Sequence, residues 1–279
     1  MERYRILYIW NIILGGVLIV TIERDVTYDA KNKLKVDLYF PGNGSAKGLI
    51  IDIHGGGWFR GDKAKDQDWA EMLTKEDYMV AVPNYRITPE AYYPAPLEDM
   101  DTLYNWLKNS KYDFDHKHIA AVGSSAGGNM TVELGIKYGI PIVSLSGILD
   151  IDDWLNQHQD VVAQQDQTQD FNQQASATIN QTGANDPFYK WFVTNYFDGR
   201  TDQYTDATPY HRVNGQTGPM FLANSLNEFV PNTGVLKMAE TLSKFQIPFT
   251  LRMIPGTRHA KGYLDDVKED IINFLNRNI

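Results

Sequence analysis

Two short apolar runs, each followed at once by a cluster of glycines, restrict the fold of this chain more than any other feature. Residues 48–53 (GLIIDI) lead into His54-Gly55-Gly56-Gly57-Trp58, and residues 118–122 (HIAAV) lead into Gly123-Ser124-Ser125-Ala126-Gly127-Gly128. A continuous β-branched run of this length reads as a strand buried on both faces, which places it inside a sheet covered by helices on either side. Glycines directly after such a strand let backbone N–H groups turn toward a cleft, because no Cβ restricts φ or blocks close approach. The run of Asn129-Met130-Thr131-Val132-Glu133-Leu134 continues the second motif, so Ser125 stands at a strand-to-helix turn.

The rest of the chain repeats this alternation. Residues 24–28, 34–40 (LKVDLYF), 78–83, 119–122, 140–144, 220–223 (MFLA) and 249–254 read as strands. Residues 68–75, 97–108, 235–245 and 264–275 read as helices; Leu97, Met100, Leu103, Tyr104 and Leu107 recur at helical spacing. Strands alternating with helices predict an α/β fold with a mostly parallel, doubly wound sheet. From about 150 to 212 the rhythm breaks. The chain there is rich in Gln, Asn and Asp, then turns aromatic at Phe188-Tyr189-Lys190-Trp191-Phe192 and Tyr196-Phe197. Long interruptions inside a compact domain are usually functional, so a cap-like insertion over a site is expected. The 12 prolines and 22 glycines are spread out rather than gathered into a linker, which predicts one domain over 23–279.

The N-terminal part, residues 1–22, is set apart from that domain. Residues 6–20 (ILYIWNIILGGVLIV) are apolar on all sides but for Asn11, with Arg3 and Arg5 before them and Glu23-Arg24-Asp25 after. Together with Thr21 and Ile22 the run is long enough for a helix to cross a thin bilayer. It has the layout of a signal-anchor whose basic flank would leave the bulk of the chain outside the cytoplasm. Without such anchoring, as a helix packed on the domain, the protein would stay in the cytoplasm. The net charge of −9 argues against nucleic acid as a partner. With no cysteine, disulfides, thiolate metal sites and cysteine nucleophiles are excluded together.

A serine nucleophile needs oxyanion donors, a base and an acid. Paired with a downstream G-x-S-x-G, the glycine loop after residue 53 reads as the donor loop of an oxyanion hole; it carries neither the Lys-Ser/Thr of a phosphate loop nor a dinucleotide fingerprint. Of the six histidines, His54 belongs to that loop and is expected to organise it. His116 and His118 have a metal-pair spacing without an evident third ligand, so a solvated turn is expected, and His158 and His211 read as structural. His259, in Pro255-Gly256-Thr257-Arg258-His259 directly after the strand 249–254, stands where a loop-borne general base belongs. No metal and no cofactor is expected.

The ordered blocks HGGGW, Asn84-Tyr85-Arg86-Ile87-Thr88-Pro89, Pro94-Ala95-Pro96-Leu97-Glu98-Asp99, GSSAGGN, Ala207-Thr208-Pro209 and PGTRH resemble the α/β-hydrolase esterases with an HGGG oxyanion loop, the hormone-sensitive-lipase-like and acetyl- or feruloyl-esterase-like bacterial branch. The resemblance runs from about residue 26 to the C-terminus. It implies an α/β-hydrolase fold, Ser125 as nucleophile, His259 as base, and Gly55, Gly56 and the N–H of Ala126 as the oxyanion hole.

The acid departs from that pattern. The family places an aspartate in the loop after the strand 220–223, and here the loop reads Asn224-Ser225-Leu226-Asn227-Glu228-Phe229-Val230-Pro231. Counting forward from Pro219 puts the position on Glu228, counting back from Pro231 puts it on Asn227, and neither is aspartate. Glutamate can orient the histidine and stabilise its charged form, whereas asparagine brings no charge. Glu228 is therefore preferred, with Asn227 as a neutral orienter or a distant carboxylate such as Asp198 as alternatives. The expected activity is that of a serine carboxylesterase on small short-acyl, acetyl or hydroxycinnamoyl esters. The rival readings are an amidase or peptidase on the same triad, and a catalytically weak α/β-hydrolase-fold binding module.

Overall fold

Apolar strands that must bury both faces can do so only in the middle of a sheet, and that is where the chain puts them. The computed structural model describes residues 5–9, 19–42, 44–166 and 174–279, with the backbone alone for 5–9 and 19. The strands are β1 Arg5–Ile9, β2 Ile19–Asp29, β3 Leu34–Phe40, β4 Leu49–Ile53, β5 Met79–Pro83, β6 Ile119–Ser124, β7 Ile142–Leu145, β8 Met220–Ser225 and β9 Phe249–Ile254. They form one sheet in the order β1-β2-β3-β5-β4-β6-β7-β8-β9. The pairs from β1 to β5 along that order are antiparallel and all the others parallel. Every residue of β4, β5, β6, β7 and β8 is buried.

The helices are α1 Gln67–Thr74, α2 Ala95–Lys108, α3 Ala126–Tyr138, α4 Asp152–Gln157, α5 Asp186–Asn195, α6 Thr233–Lys244 and α7 Leu264–Asn278. Their apolar faces divide between the two sides of the sheet. Met100 and Leu103 of α2, Met130 and Leu134 of α3, and Met238 and Leu242 of α6 pack with Leu49, Ile51 and Ile53. Trp69 and Leu73 of α1 and Val267, Ile271 and Phe274 of α7 pack with Ile50, Val80 and Val122 on the opposite face. Alternate residues of one strand thus feed two cores, which is why these strands read as continuous apolar runs rather than alternating ones.

The chain runs from β4 outward to β5, then returns past β4 to lay down β6 on its other side. The strand order therefore reverses between β4 and β6. In open α/β sheets the crevice at such a switch point, outside the carboxyl ends of the strands, is where ligands bind. The two glycine motifs are the loops that leave these two strands.

The helix expected over residues 6–20 is not what its described ends form. Residues 5–9 are β1 and residues 19–20 begin β2, paired antiparallel in register Arg5↔Glu23 to Ile9↔Ile19; residues 10–18 lie outside the described residues. Val20 and Ile22 are buried in the core beside Tyr39, so this part of the chain extends the domain's own sheet instead of standing apart at residue 22. A run without polar interruptions has no period to separate a buried helix from a buried strand, and the β-branched residues Ile19, Val20, Thr21 and Ile22 decide it here. Among the described residues no helix is long and apolar enough to cross a membrane.

Two of the sequence blocks outside the motifs are structural. Arg86 donates to Asp99 through its guanidinium and its backbone N–H, at 2.8 Å in both cases, tying the loop after β5 to the start of α2. Tyr85 stacks on His54 with ring centroids 4.3 Å apart and donates its hydroxyl hydrogen to the His54 carbonyl at 2.9 Å.

Candidate active site

The turn after β6 is strained where the serine sits. Ser125 has φ 56° and ψ −121°, a conformation that costs an L-residue of order 1–3 kcal/mol and persists only where its surroundings enforce it. The enforcement is visible in the glycines. A Cβ on Gly123 would lie 2.5 Å from the Gly127 carbonyl oxygen, and one on Gly127 would lie 1.9 Å from the Ile53 carbonyl oxygen. Both motif glycines are thus demanded by backbone packed on backbone, which an ordinary small-residue turn would not require. Gly127→Ala should lower the thermal unfolding midpoint by about 2–12 °C, since overpacking costs about 1–3 kcal/mol and each kcal/mol moves a domain of this size by about 2–4 °C. An unchanged melting curve would refute the packing argument.

Gly55 and Gly56 face Ser125 across the switch point. A Cβ on Gly55 would sit 3.2 Å from Ser125 Cβ, and both glycines line the same cavity as Ser125 and His259. Gly56 has φ +128° and its carbonyl receives the N–H groups of Phe59 and Arg60 at 3.2 and 3.1 Å, closing a tight turn. His54 keeps that turn in shape, with Nδ1 donating to the Gly55 carbonyl at 2.7 Å. Burial lowers the His54 pKa, which suits a neutral ring. Ala126 is the first residue of α3, where backbone N–H groups have no partner within the helix and the dipole favours negative charge.

His259 follows β9 and is buried. Its Nδ1 lies 2.6 Å from Glu228 Oε2. An ionised carboxylate only accepts, so Nδ1–H donates and Nε2 is left with its lone pair for the cavity. The other Glu228 oxygen, Oε1, accepts the Ser225 N–H at 2.7 Å. The two loops carrying these residues are stitched together: Leu226 N–H donates to the Ile254 carbonyl at 2.8 Å and Asn227 N–H to the Gly256 carbonyl at 3.1 Å. That pairing turns Glu228 inward and leaves Asn227 exposed. Asp198 is exposed in a left-handed turn after α5, on the surface and not against the buried imidazole.

Behind His259, Ala260 N–H donates to Ser146 Oγ at 2.8 Å, and Tyr263 OH donates to the Ala223 carbonyl at 2.7 Å. Ser146 Oγ therefore donates to the Tyr263 oxygen, 2.7 Å away. Lys261 is buried beside Asp66 at 2.7 Å and also reaches Asp68 at 2.7 Å. Burial opposes its charge, but Asp66, Asp52 and Asp68 outweigh that and raise its pKa. This pair joins the histidine loop to the segment that follows the glycine loop.

The cavity is narrow, about 50 Å³, and one wall is aromatic: Phe59, Phe188, Phe192 and Phe229 with Ile179. Phe188 and Phe192 come from α5, in the interruption after β7. Trp58 of the glycine loop stacks on Tyr196 with centroids 4.1 Å apart and planes 3° from parallel, a contact worth about 0.5–1.5 kcal/mol beyond its buried area. The aromatic half of residues 150–212 is thereby docked on the loop that faces Ser125. Arg60 lies over Phe59 and Phe188, at 4.8 and 5.7 Å from the ring centroids, and burial pushes its pKa down to about 10.

The remaining histidines are outside this cluster. His116 bonds the carbonyls of Lys108 and Tyr112 and stacks on Phe114, and His118 pairs with Asp115. His158 stacks on Trp154 and His211 stands 3.6 Å from Asp152. No group of three His, Asp or Glu side chains among the described residues could hold a metal ion. Two neighbours of His259 carry no motif in the sequence: Phe229, whose ring meets His259 edge-on at 5.3 Å, and Gln181, which bonds the His259 backbone. A glutamine in a glutamine-rich tract carries no signal of such a role.

The profile of the BD-FAE family matches residues 36–242. The chain belongs to that family. Curated relatives match a shorter stretch. The versiconal hemiacetal acetate esterase of Dothistroma septosporum is 31% identical over 40% of this chain and 36% of its own length. The arylacetamide deacetylase of Oryctolagus cuniculus is 34% identical over 38% and 29%, and the carboxylesterase NlhH of Mycobacterium tuberculosis 32% identical over 39% and 35%. The chain thus spans about a third of the length of the curated relatives it matches. Among solved structures, a truncated carbohydrate esterase from gut microbiota superposes with a TM-score of 0.72 over 92% of this chain and 95% of the other, at 17% identity. The esterase of Pyrobaculum calidifontis gives 0.71 over 91% and 83%, at 18% identity. The fold of this BD-FAE family member is the α/β-hydrolase fold.

Proposed function

We propose that this BD-FAE family member is a serine carboxylesterase acting on short-acyl esters through an acyl-enzyme. The observation that carries this reading is the convergence of a strained Ser125 and of a His259 whose Nδ1 is held by Glu228 on one narrow cavity. Ser125 Oγ attacks the ester carbonyl while His259 Nε2 takes its proton. The oxyanion that forms is met by the backbone N–H groups of Gly55, Gly56 and Ala126, each such donor contributing about 10²–10³ in rate. Glu228 stabilises the imidazolium, which then gives its proton to the leaving alcohol. Water, activated by the same histidine, attacks the acyl-enzyme and frees Ser125. Residues 150–212 act as a cap whose aromatic helix α5 supplies one wall of the acyl site. The named activities of the curated relatives, esterase and deacetylase, support this reading.

The aromatic wall supports a short acyl group: Phe59, Phe188, Phe192 and Phe229 close one side of the cavity that Ser125 lines. The kcat/KM for p-nitrophenyl acetate and butyrate should exceed that for the octanoate, and that of acetate should exceed that of methyl ferulate after correction for the leaving group, by about tenfold or more. A value that rises with chain length would contradict the assignment.

A further inference from the structure

The Gln-rich half of residues 150–212 is bonded to the histidine loop through the side chain of Gln181. The amide of Gln181 brackets the His259 backbone: Oε1 accepts the His259 N–H at 2.9 Å, and Nε2 donates to the His259 carbonyl at 3.0 Å. The second Nε2 hydrogen goes to the Ile179 carbonyl at 2.6 Å, and the Gln181 carbonyl accepts Thr257 Oγ1 at 2.8 Å. All the hydrogen-bonding groups of the amide agree on one orientation, so it acts on the extended His259 as a neighbouring strand would. The fit also depends on the residue opposite. A Cβ on Gly262 would lie 2.0 Å from Gln181 Oε1, so only glycine leaves room for the amide. Gly183, at φ +102°, brings the same segment against the acid loop and the histidine loop, within 3.2 Å of Asn227 O and Thr257 Cγ2 as measured from its virtual Cβ.

We infer that Gln181 is a positioning residue: it holds the backbone of His259 so that the ring, gripped at Nδ1 by Glu228, points Nε2 at Ser125. The inference rests on His259 being the general base. It gives the Gln-rich segment a task that its composition does not announce, since docking of that segment and alignment of the base become one event. A misplacement of about 1 Å at a reacting group can cost about 10²-fold in rate, so the loss should fall mainly on kcat.

The test compares wild type, Gln181→Met, Gly262→Ala and the double variant on p-nitrophenyl acetate, with Ser125→Ala as the blank and amide hydrogen exchange at His259 alongside. Gln181→Met keeps the length and bulk of the side chain and removes its hydrogen bonds. The expected result is a kcat about 10- to 100-fold lower with KM within about twofold, and faster exchange of the His259 amide. Gly262→Ala should reproduce both effects by displacing the amide. Because both changes break one contact, the double variant should be no worse than Gln181→Met alone. A Gln181→Met protein with wild-type kcat and exchange, or losses that multiply in the double variant, would overturn the inference while leaving the esterase reading intact. Wild-type hydrolysis no faster than that of Ser125→Ala would overturn the esterase reading, and with it any positioning role for Gln181.

Discussion

Ser125→Ala is expected to lower kcat for p-nitrophenyl acetate by about 10⁶, to a residue set by the oxyanion donors and binding alone. The loss is large because Ser125 is the residue held in the strained turn. Ser124 also lines the cavity, its Oγ 3.4 Å from the virtual Cβ of Gly55, but it belongs to β6 and not to that turn. The substitution should leave the fold unharmed, because alanine removes a hydroxyl and keeps the Cβ that Gly55 packs against. Thermal unfolding within about 2 °C of wild type, measured on the same sample, separates lost chemistry from lost structure.

Glu228→Gln is expected to cost about 10³–10⁴ in kcat, or roughly 4–5.5 kcal/mol. The reason is a conflict of donors. Glu228 accepts from Ser225 N–H with one oxygen and from His259 Nδ1–H with the other, whereas an amide offers one acceptor and one donor. If its oxygen stays on Ser225, its NH₂ faces His259 Nδ1 and drives the ring to the tautomer with Nε2 protonated, which cannot take the proton of Ser125. If its oxygen turns to His259, its NH₂ faces a fully buried N–H of Ser225, an unpaired clash costing about 1–3 kcal/mol. Asn227→Ala, on an exposed residue, should stay within about twofold of wild type. Equal losses in the two variants would mean that the acid has been misassigned.

How far this site was readable from the sequence depends on the range of the forces involved. The glycine loop and the turn at Ser125 were legible because close backbone approach and positive φ admit few residue types, so the constraint is written at the position that feels it. The doubly wound sheet was legible for a similar reason: strands buried on both faces, such as residues 49–53, lose the polar alternation that a half-exposed strand keeps. Glu228 was only half legible. The loop is a residue shorter than the pattern, and counting from its two ends gives two answers; the hydrogen bonds from Leu226 to the last residue of β9 and from Asn227 to the loop after it are what turn one side chain inward and the other out. Gln181 was not legible at all, since its partners are backbone atoms 78 residues away and its neighbours share its composition. The N-terminal run misled because apolarity without a period does not distinguish a helix from a strand.

The central claim is that Ser125 is a nucleophile activated by His259. Its most direct test is incubation of the wild-type protein with an activated fluorophosphonate, followed by intact mass and peptide mapping. The account predicts a single covalent adduct on Ser125, absent from Ser125→Ala and formed far more slowly in Glu228→Gln. An adduct on another residue, or no adduct at all, would contradict it and leave a folded α/β-hydrolase scaffold without the chemistry assigned to it.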